Sequence, residues 1–577
     1  MTSSAGFTLG MGRWIAPVAV LLLASGGLMR AQVVVVPTTP QVGSSNPATA
    51  EPTVPRPTTK PCIVPLFENL EFADFNLKSF SYTPPADCPG PWAKVVFTAD
   101  FTVTAGRQFD RTAAFYLGQA SIYYGTTAEP RSALSPSWHV ERDVTDLTPI
   151  FQSPQTGEAN IGNFVGTYNG VVYNGLIYAD AALEFYPANF RNPAPRTPDM
   201  VIPVNGSGGD AGTLNTTTDQ ITQTLNLPEN VESVYLNVIA QSQSNDEFWY
   251  TCVPNDEAGP LQSCGGTAFR EAEVSLDSQP AGVAPIYPWI FTGGIDPYLW
   301  EPIPGVQTLD FVPYRVNLTP FAGMLADGGT HTVALSVYNA DSYFLATANL
   351  LVYLDHGATK TTGGLISNTL SAAPTPTIAD NIVASNGTYS GNILTTSNRN
   401  FAISGYIQTS HGKVVTTVQQ NVNFSNNQTF TINSSEYVQD IQQLTTVHST
   451  STTQQGWLVT TEEENFRYPL TVDYSSGSTS SGFYATTNVS QAYQSDDAQS
   501  LDRFPLYWSK VNNQLSTTDT DLFDSSGNFL GPSAGQSSNT YTWRNSLGGC
   551  YTRTITSAAQ VLASVSNGQG CFDQHQF

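Results

Sequence analysis

Short runs of alternating apolar and polar residues recur along most of the chain. Alternation with a period of two puts successive side chains on opposite faces of a β-strand. It marks residues 93–103, 231–240, 272–277, 330–338 and 348–355. Residues 112–124 read as strand-like with Gly118 as a bend, and residues 162–178 and 181–186 add further segments. Pro, Gly and Asn turns separate the runs, and no long helical period intrudes. The pattern predicts an all-β protein. A first β-sandwich domain spans residues 61–205 and a second spans 206–356, with 206–212 as a flexible crossing point. Residues 357–385 are poor in large apolar groups and predict a linker. Short strand-like runs resume beyond it, giving a C-terminal β-rich accessory region over 386–577.

The N-terminus departs from this pattern. Arg13 precedes an apolar run from Trp14 to Leu23, followed by small residues and Ala31. This predicts a secretory signal peptide over residues 1–31. Residues 32–60 hold Pro37, Pro40, Pro47, Pro52, Pro55 and Pro57 among small residues and predict a Pro/Thr-rich linker or flexible stalk. No other run is long enough to cross a bilayer, so no stable membrane insertion is expected after signal cleavage.

Composition narrows the function classes. In 577 residues, 40% are hydrophobic, enough for real cores. Lys and Arg number 22 against 46 Asp and Glu, a net charge of −24. Such a surface repels phosphate backbones, so no nucleic-acid partner is expected. Export permits disulfides. Sequence proximity favours Cys62–Cys88, Cys252–Cys264 and Cys550–Cys571, although other pairings remain open. The cysteines are too dispersed for a zinc cluster, and the histidines show no ligand spacing. No metal and no cofactor are expected. Sequons at Asn205, Asn215, Asn317, Asn386, Asn423, Asn427, Asn433 and Asn488 are candidate glycosylation sites.

Three clusters carry candidate chemistry. In Gly106-Arg-Gln-Phe-Asp-Arg111, Asp110 is flanked by Arg107 and Arg111. Arginines favour the ionised carboxylate, which could orient or deprotonate a water. The plain alternative is a loop-closing ion pair. In Asn245-Asp-Glu-Phe-Trp-Tyr250, an extended chain would put Glu247 and Trp249 on one side, an acid beside a sugar platform. In Phe269-Arg-Glu-Ala-Glu-Val274, Glu271 and Glu273 share a strand face opposite Arg270. If both are buried they repel, and one holds a proton for acid–base work. Residues 287–300 add Trp289, Asp296, Tyr298 and Trp300. Rings with scattered acids suit a sugar site, and a rim of core aromatics is the alternative.

These words also carry a resemblance. Pro91-Trp-Ala-Lys-Val-Val96, the Gly106–Arg111 word, Thr126-Thr-Ala-Glu-Pro130, the Asn245–Tyr250 word, Phe269-Arg-Glu271, Thr292-Gly-Gly-Ile-Asp-Pro-Tyr-Leu-Trp300 and Ala348-Asn-Leu-Leu-Val-Tyr-Leu-Asp355 follow one another in order. The sequence resembles the acidic peptide:N-glycanase family of the almond type over residues 62–356. The resemblance implies hydrolysis of the amide between asparagine and the first N-acetylglucosamine, with N-linked glycopeptides or denatured glycoproteins as partners. It implies two adjacent jelly rolls with the site between them, and no metal. It makes Asp110, Arg111, Glu247, Glu271 and Arg270 the catalytic candidates. Trp249, Trp289, Asp296, Tyr298, Trp300 and Glu273 are the substrate-binding ones. Such a protein would be secreted or extracytoplasmic, an acidic lytic compartment included. A secreted carbohydrate-binding or adhesion protein is the main rival reading. A β-sandwich glycosidase is the weaker one, because Glu271 and Glu273 on one strand cannot straddle a glycosidic oxygen.

Overall fold

The computed structural model describes residues 38–533, 535–568 and 571. The predicted signal segment lies outside them. The described chain is all-β, as the alternation predicts. The first unit faces two four-stranded antiparallel sheets across a core of Phe72, Phe97, Phe101, Phe115, Tyr123 and Phe185. One sheet runs Cys62–Phe72, Ile177–Pro187, Trp92–Val103, Ser137–Asp143. The other runs Lys78–Tyr82, Gln155–Ile161, Thr112–Leu117, Ala120–Thr126. Gly118 does form a turn, with φ of +55° beside Gln119 at +65°. Two consecutive left-handed residues suit a tight hairpin between twisted strands.

The second unit is also a sandwich. Met200–Val204, Asp341–Leu354, Val231–Ser242 and Tyr314–Asn317 form one sheet, with Gly212–Thr216 on the end of the long strand. Ile221–Asn226, Thr330–Tyr338, Glu271–Leu276 and Gln279–Pro285 form the other. Met200–Val204 already pairs with Leu350–Val352 and its neighbours, so this sheet begins before the predicted break at 205.

Beyond it lies one 13-stranded antiparallel sheet among the described residues. Its six central strands run from Thr388–Thr409 to Phe504–Asp524 and are 20–22 residues long. The predicted linker over 357–385 is part of it: Thr362–Asn368, Thr377–Asp380 and Val383–Ser385 all pair with Thr388–Thr409. Nor is the sheet a loosely joined accessory. Phe401, Ile403, Phe424 and Val447 share one core with Trp249, Phe269 and Ala272 of the second sandwich. Contact is close enough that a methyl on Gly405 would fall 1.7 Å from the Pro320 carbonyl oxygen.

The proline-rich segment also differs from its prediction. Its described part is a packed strap, not a free stalk. Ala50 and Val54 are fully buried. The Ala50 N–H donates to Asn539 Oδ1 at 2.6 Å. Arg56 donates to Glu141 Oε2 at 2.6 Å and Oε1 at 2.9 Å, and to Glu184 Oε2 at 3.0 Å. The prolines keep the segment extended, and its few charged and apolar residues anchor it.

Three disulfides join Cys62–Cys88, Cys252–Cys264 and Cys550–Cys571, as sequence proximity favours. No helix among the described residues is long and apolar enough to cross a membrane.

Candidate active site at the seam between the sandwiches

Asp110 and Arg111 end the loop that leads into Thr112–Leu117. Ladder-like bonds fix them. The Arg111 N–H donates to Thr127 Oγ1 at 2.9 Å, and the Thr127 N–H donates to Arg111 O at 2.8 Å. This brings Glu129, two residues past Thr127, beside Asp110, whose N–H lies 3.3 Å from Glu129 Oε2. The Arg111 guanidinium donates to the Asp110 carbonyl at 2.9 Å and lies over the Phe109 ring. Its Nε is buried without a partner.

The second sandwich closes the site from the other side. Thr292 Oγ1 donates to Thr127 O at 2.8 Å, stitching the loop before Trp300 to the first unit. The next residue, Gly293, faces both carboxylates. A methyl there would sit 2.1 Å from Glu129 Oε2 and 2.7 Å from Asp110 Oδ1, so any larger residue would push the carboxylates out of place. Its N–H also faces the Asp110 carboxylate. Gln241 joins the two units through Thr112 and Tyr124, at 3.1 and 2.9 Å. Just beyond it, past Ser242, the chain turns and presents Glu247, close enough to feel the charge of Asp110.

Burial pushes the Asp110 carboxyl up, with the Gly293 N–H and Arg111 opposing it. This overturns the expectation that arginines win. Arg107 lies over the Tyr173 ring instead, so only Arg111 is near enough to oppose desolvation. Glu129 is pushed up to about 7, by burial and then by the charge of Asp110. Glu247 is also pushed up to about 7, for the same two reasons. Asp110, Arg111, Glu129 and Glu247 all remain only partly buried, so the seam is open to solvent. A carboxylate beside two proton-holding acids and one guanidinium can run general acid–base chemistry.

Of the residues singled out in the sequence, only Asp110, Arg111 and Glu247 meet here. Arg270 is pinned instead to Asp246, 2.8 Å away, both fully buried. Its Nη1 is also taken up, by the carbonyls of Thr267 and Phe269. Glu271 and Glu273 do share a strand face, but that face meets the C-terminal sheet. Arg399 lies 3.2 Å from Glu271 and 3.7 Å from Glu273 there. The tryptophans are core residues, not platforms. Trp249 is 1% exposed and packs on Phe424, Trp289 stacks on Phe311, and Trp300 donates to Gly294 O at 2.8 Å. Tyr298 stacks on Phe529 of the C-terminal sheet. Asp296 caps the turn Pro297–Trp300 and groups with Asp519 and Asp521. The sequence reading missed roles for Glu129 and Gly293. Both sit in quoted words, yet neither has a charged neighbour in sequence to draw attention.

Comparison with known proteins places this geometry in context. The family model described as peptide N-acetyl-beta-D-glucosaminyl asparaginase amidase A matches residues 59–371. The model of its C-terminal domain matches residues 392–470. Peptide-N4-(N-acetyl-beta-glucosaminyl)asparagine amidase A of Prunus dulcis is 30% identical over 391 residues, 64% of this chain and 67% of that protein. Among solved structures, PNGF-II overlaps at a TM-score of 0.36 and 13% identity, over 52% of this chain and 66% of the other. PNGase F, a glycosylasparaginase from Flavobacterium meningosepticum, overlaps at 0.34 and 13%, over 51% and 96%.

Proposed function

The chain belongs to the peptide N-acetyl-β-D-glucosaminyl asparaginase amidase A family, and we propose that its N-glycan amidase chemistry takes place at the seam of Asp110, Glu129 and Glu247. The substrate is an N-linked glycopeptide, and the bond cleaved joins the asparagine side-chain amide to the first N-acetylglucosamine. The observation that carries the reading is the convergence of three acids from two sandwiches, with Asp110 and Glu129 against Gly293 and Glu247 within reach of the charge of Asp110.

Asp110 is the base. It accepts a proton from a water whose oxygen attacks the side-chain carbonyl carbon. Arg111, with its free Nε, faces the negative charge that gathers on the carbonyl oxygen. Glu129 holds the proton that the pair shares and donates it as a hydrogen bond, which keeps Asp110 anionic. Glu247 is protonated below about 7 and delivers its proton to the leaving nitrogen. The carbon–nitrogen bond breaks, giving a glycosylamine and an aspartate side chain. Phe109, which is 37% exposed, and the partly buried Tyr343 offer ring edges at the rim in place of the buried tryptophans. Denatured glycoproteins are the natural larger substrates. An acidic extracytoplasmic setting fits the disulfides and the proton-holding acids.

The test is to incubate the purified chain with a defined glycopeptide and weigh both products. Loss of the whole glycan with an Asn-to-Asp change supports the reading. A single N-acetylglucosamine left on Asn marks an endoglycosidase, and binding without a mass change marks a lectin-like protein. Asp110→Asn that folds and retains near-normal turnover sinks the role given to Asp110.

A further inference from the structure

The loop that supplies Gly293 carries a second acidic group on its far side. Asp296, Asp519 and Asp521 each offer an oxygen within 4.8 Å of the other two. Asp519 and Asp521 lie two apart on Phe504–Asp524 and so project from one face. Asp296 is held in place as the cap of Pro297–Trp300, accepting the Tyr298 N–H at 2.9 Å. That bond fixes the carboxyl beside the pair.

The burial of this group lacks compensation. Asp519 is 2% exposed, yet both its carboxylate oxygens are without a hydrogen-bond partner, and Asp521 Oδ1 is buried in the same condition. The charges that bear on Asp296 are all negative, from Asp521, Asp519 and Glu301. Arg131, which reaches this corner, is paired with Glu301 at 2.8 Å. The Gly535 backbone lies close against this group: a methyl there would come 2.5 Å from Asp519 Oδ1. Buried carboxylates are ordinarily paired or bound to a metal.

We infer that Asp296, Asp519 and Asp521 bind one calcium ion, which fastens the Thr292–Trp300 loop to the C-terminal sheet. All donors are hard oxygens, as calcium prefers. Ligands at about 2.3–2.6 Å on opposite sides of one ion stand roughly 4.6–5.2 Å apart, in keeping with the observed spread. Carbonyls and waters complete the shell. The ion takes no part in the amide chemistry. It sets the position of a loop whose other side faces Asp110 and Glu129.

The experiment uses the full chain stripped with a chelator at pH 7.5. Thermal unfolding is followed with added calcium chloride, and terbium luminescence is followed by exciting the aromatic residues beside the site, Tyr298 and Trp300. Calcium is expected to raise Tm by about 2–5 °C and to displace one terbium per chain. Asp519→Asn and Asp521→Asn, which keep the shape and remove charge, are expected to lose both responses. No calcium-dependent shift in the wild-type chain overturns the inference. So do asparagine variants that respond like wild type, or magnesium giving an equal shift. None of these readouts needs a glycopeptide, so their failure leaves the amidase reading untouched.

Discussion

Two groups of acids in this molecule have similarly raised proton affinities and opposite surroundings. Glu129 and Glu247 are pushed up to about 7 at the seam. Glu271 is pushed up to about 8 and Glu273 to about 7 under the C-terminal sheet. Burial is the leading cause in both places. The seam keeps its acids partly open and leaves an arginine Nε without a partner. The sheet covers Glu271 to 1% exposure and sets Arg399 against it. A perturbed acid therefore does not mark an active site unless a substrate can reach it. Under the sheet, the same physics yields a folding device whose strength depends on pH.

The sharpest test is Asp110→Asn, expected to lower kcat by about 10³-fold on a defined glycopeptide while leaving Tm nearly unchanged. An unaltered kcat would merge the two groups again. Arg270→Met in the buried network should act the other way. It strips Asp246 of its partner and is expected to cost about 3 kcal/mol in urea unfolding. Gly293→Ala tests the seam's geometry. Its methyl must displace both carboxylates, and a loss of roughly 10²-fold in kcat is expected with KM little changed.

The last effect is spread over pH and is small over any single pH unit. The folded chain holds protons on Glu271 and Glu273 more tightly than the unfolded chain, whose glutamates have the ordinary value of 4.5. That stabilisation is complete below 4.5 and is lost as pH rises toward about 7 for Glu273 and about 8 for Glu271. Each group contributes a slope of at most about 1.4 kcal/mol per pH unit. Tm should decline from pH 4.5 to 8, and Glu271→Gln should flatten the decline. A variant with the wild-type slope would remove Glu271 from the account.

Local patterns were enough for the strands. Trp92–Val103, Val231–Ser242 and the Gly118 hairpin follow from alternation and one glycine. The shared face of Glu271 and Glu273 was legible for the same reason. What covers that face was not, because Arg399 arrives from a sheet more than a hundred residues downstream. The tryptophans misled in the same way. A ring under a distant sheet and a ring under a sugar look alike in sequence, and only tertiary packing separates Trp249 on Phe424 from a free platform. The proline-rich strap read as a stalk because its anchors, Glu141 and Asn539, lie far away in the chain. Asp110 was legible as a candidate because charged neighbours flank it, whereas Glu129 stands alone between Ala128 and Pro130.

The strap also imposes an order in time. Ala50 takes one partner 489 residues later and another 501 residues later. Gly43 and Ser44 exchange backbone hydrogen bonds with Leu562, in the last described strand. At roughly 5–20 residues synthesised per second, those partners emerge on the order of 25–100 s after Ala50 itself. During that interval the long strands exist with an unfinished border, and such borders recruit other chains. A ribosome releasing this protein therefore delivers the seal for its first segment almost last. The length of that wait sets how long the newborn chain must be kept apart from its neighbours.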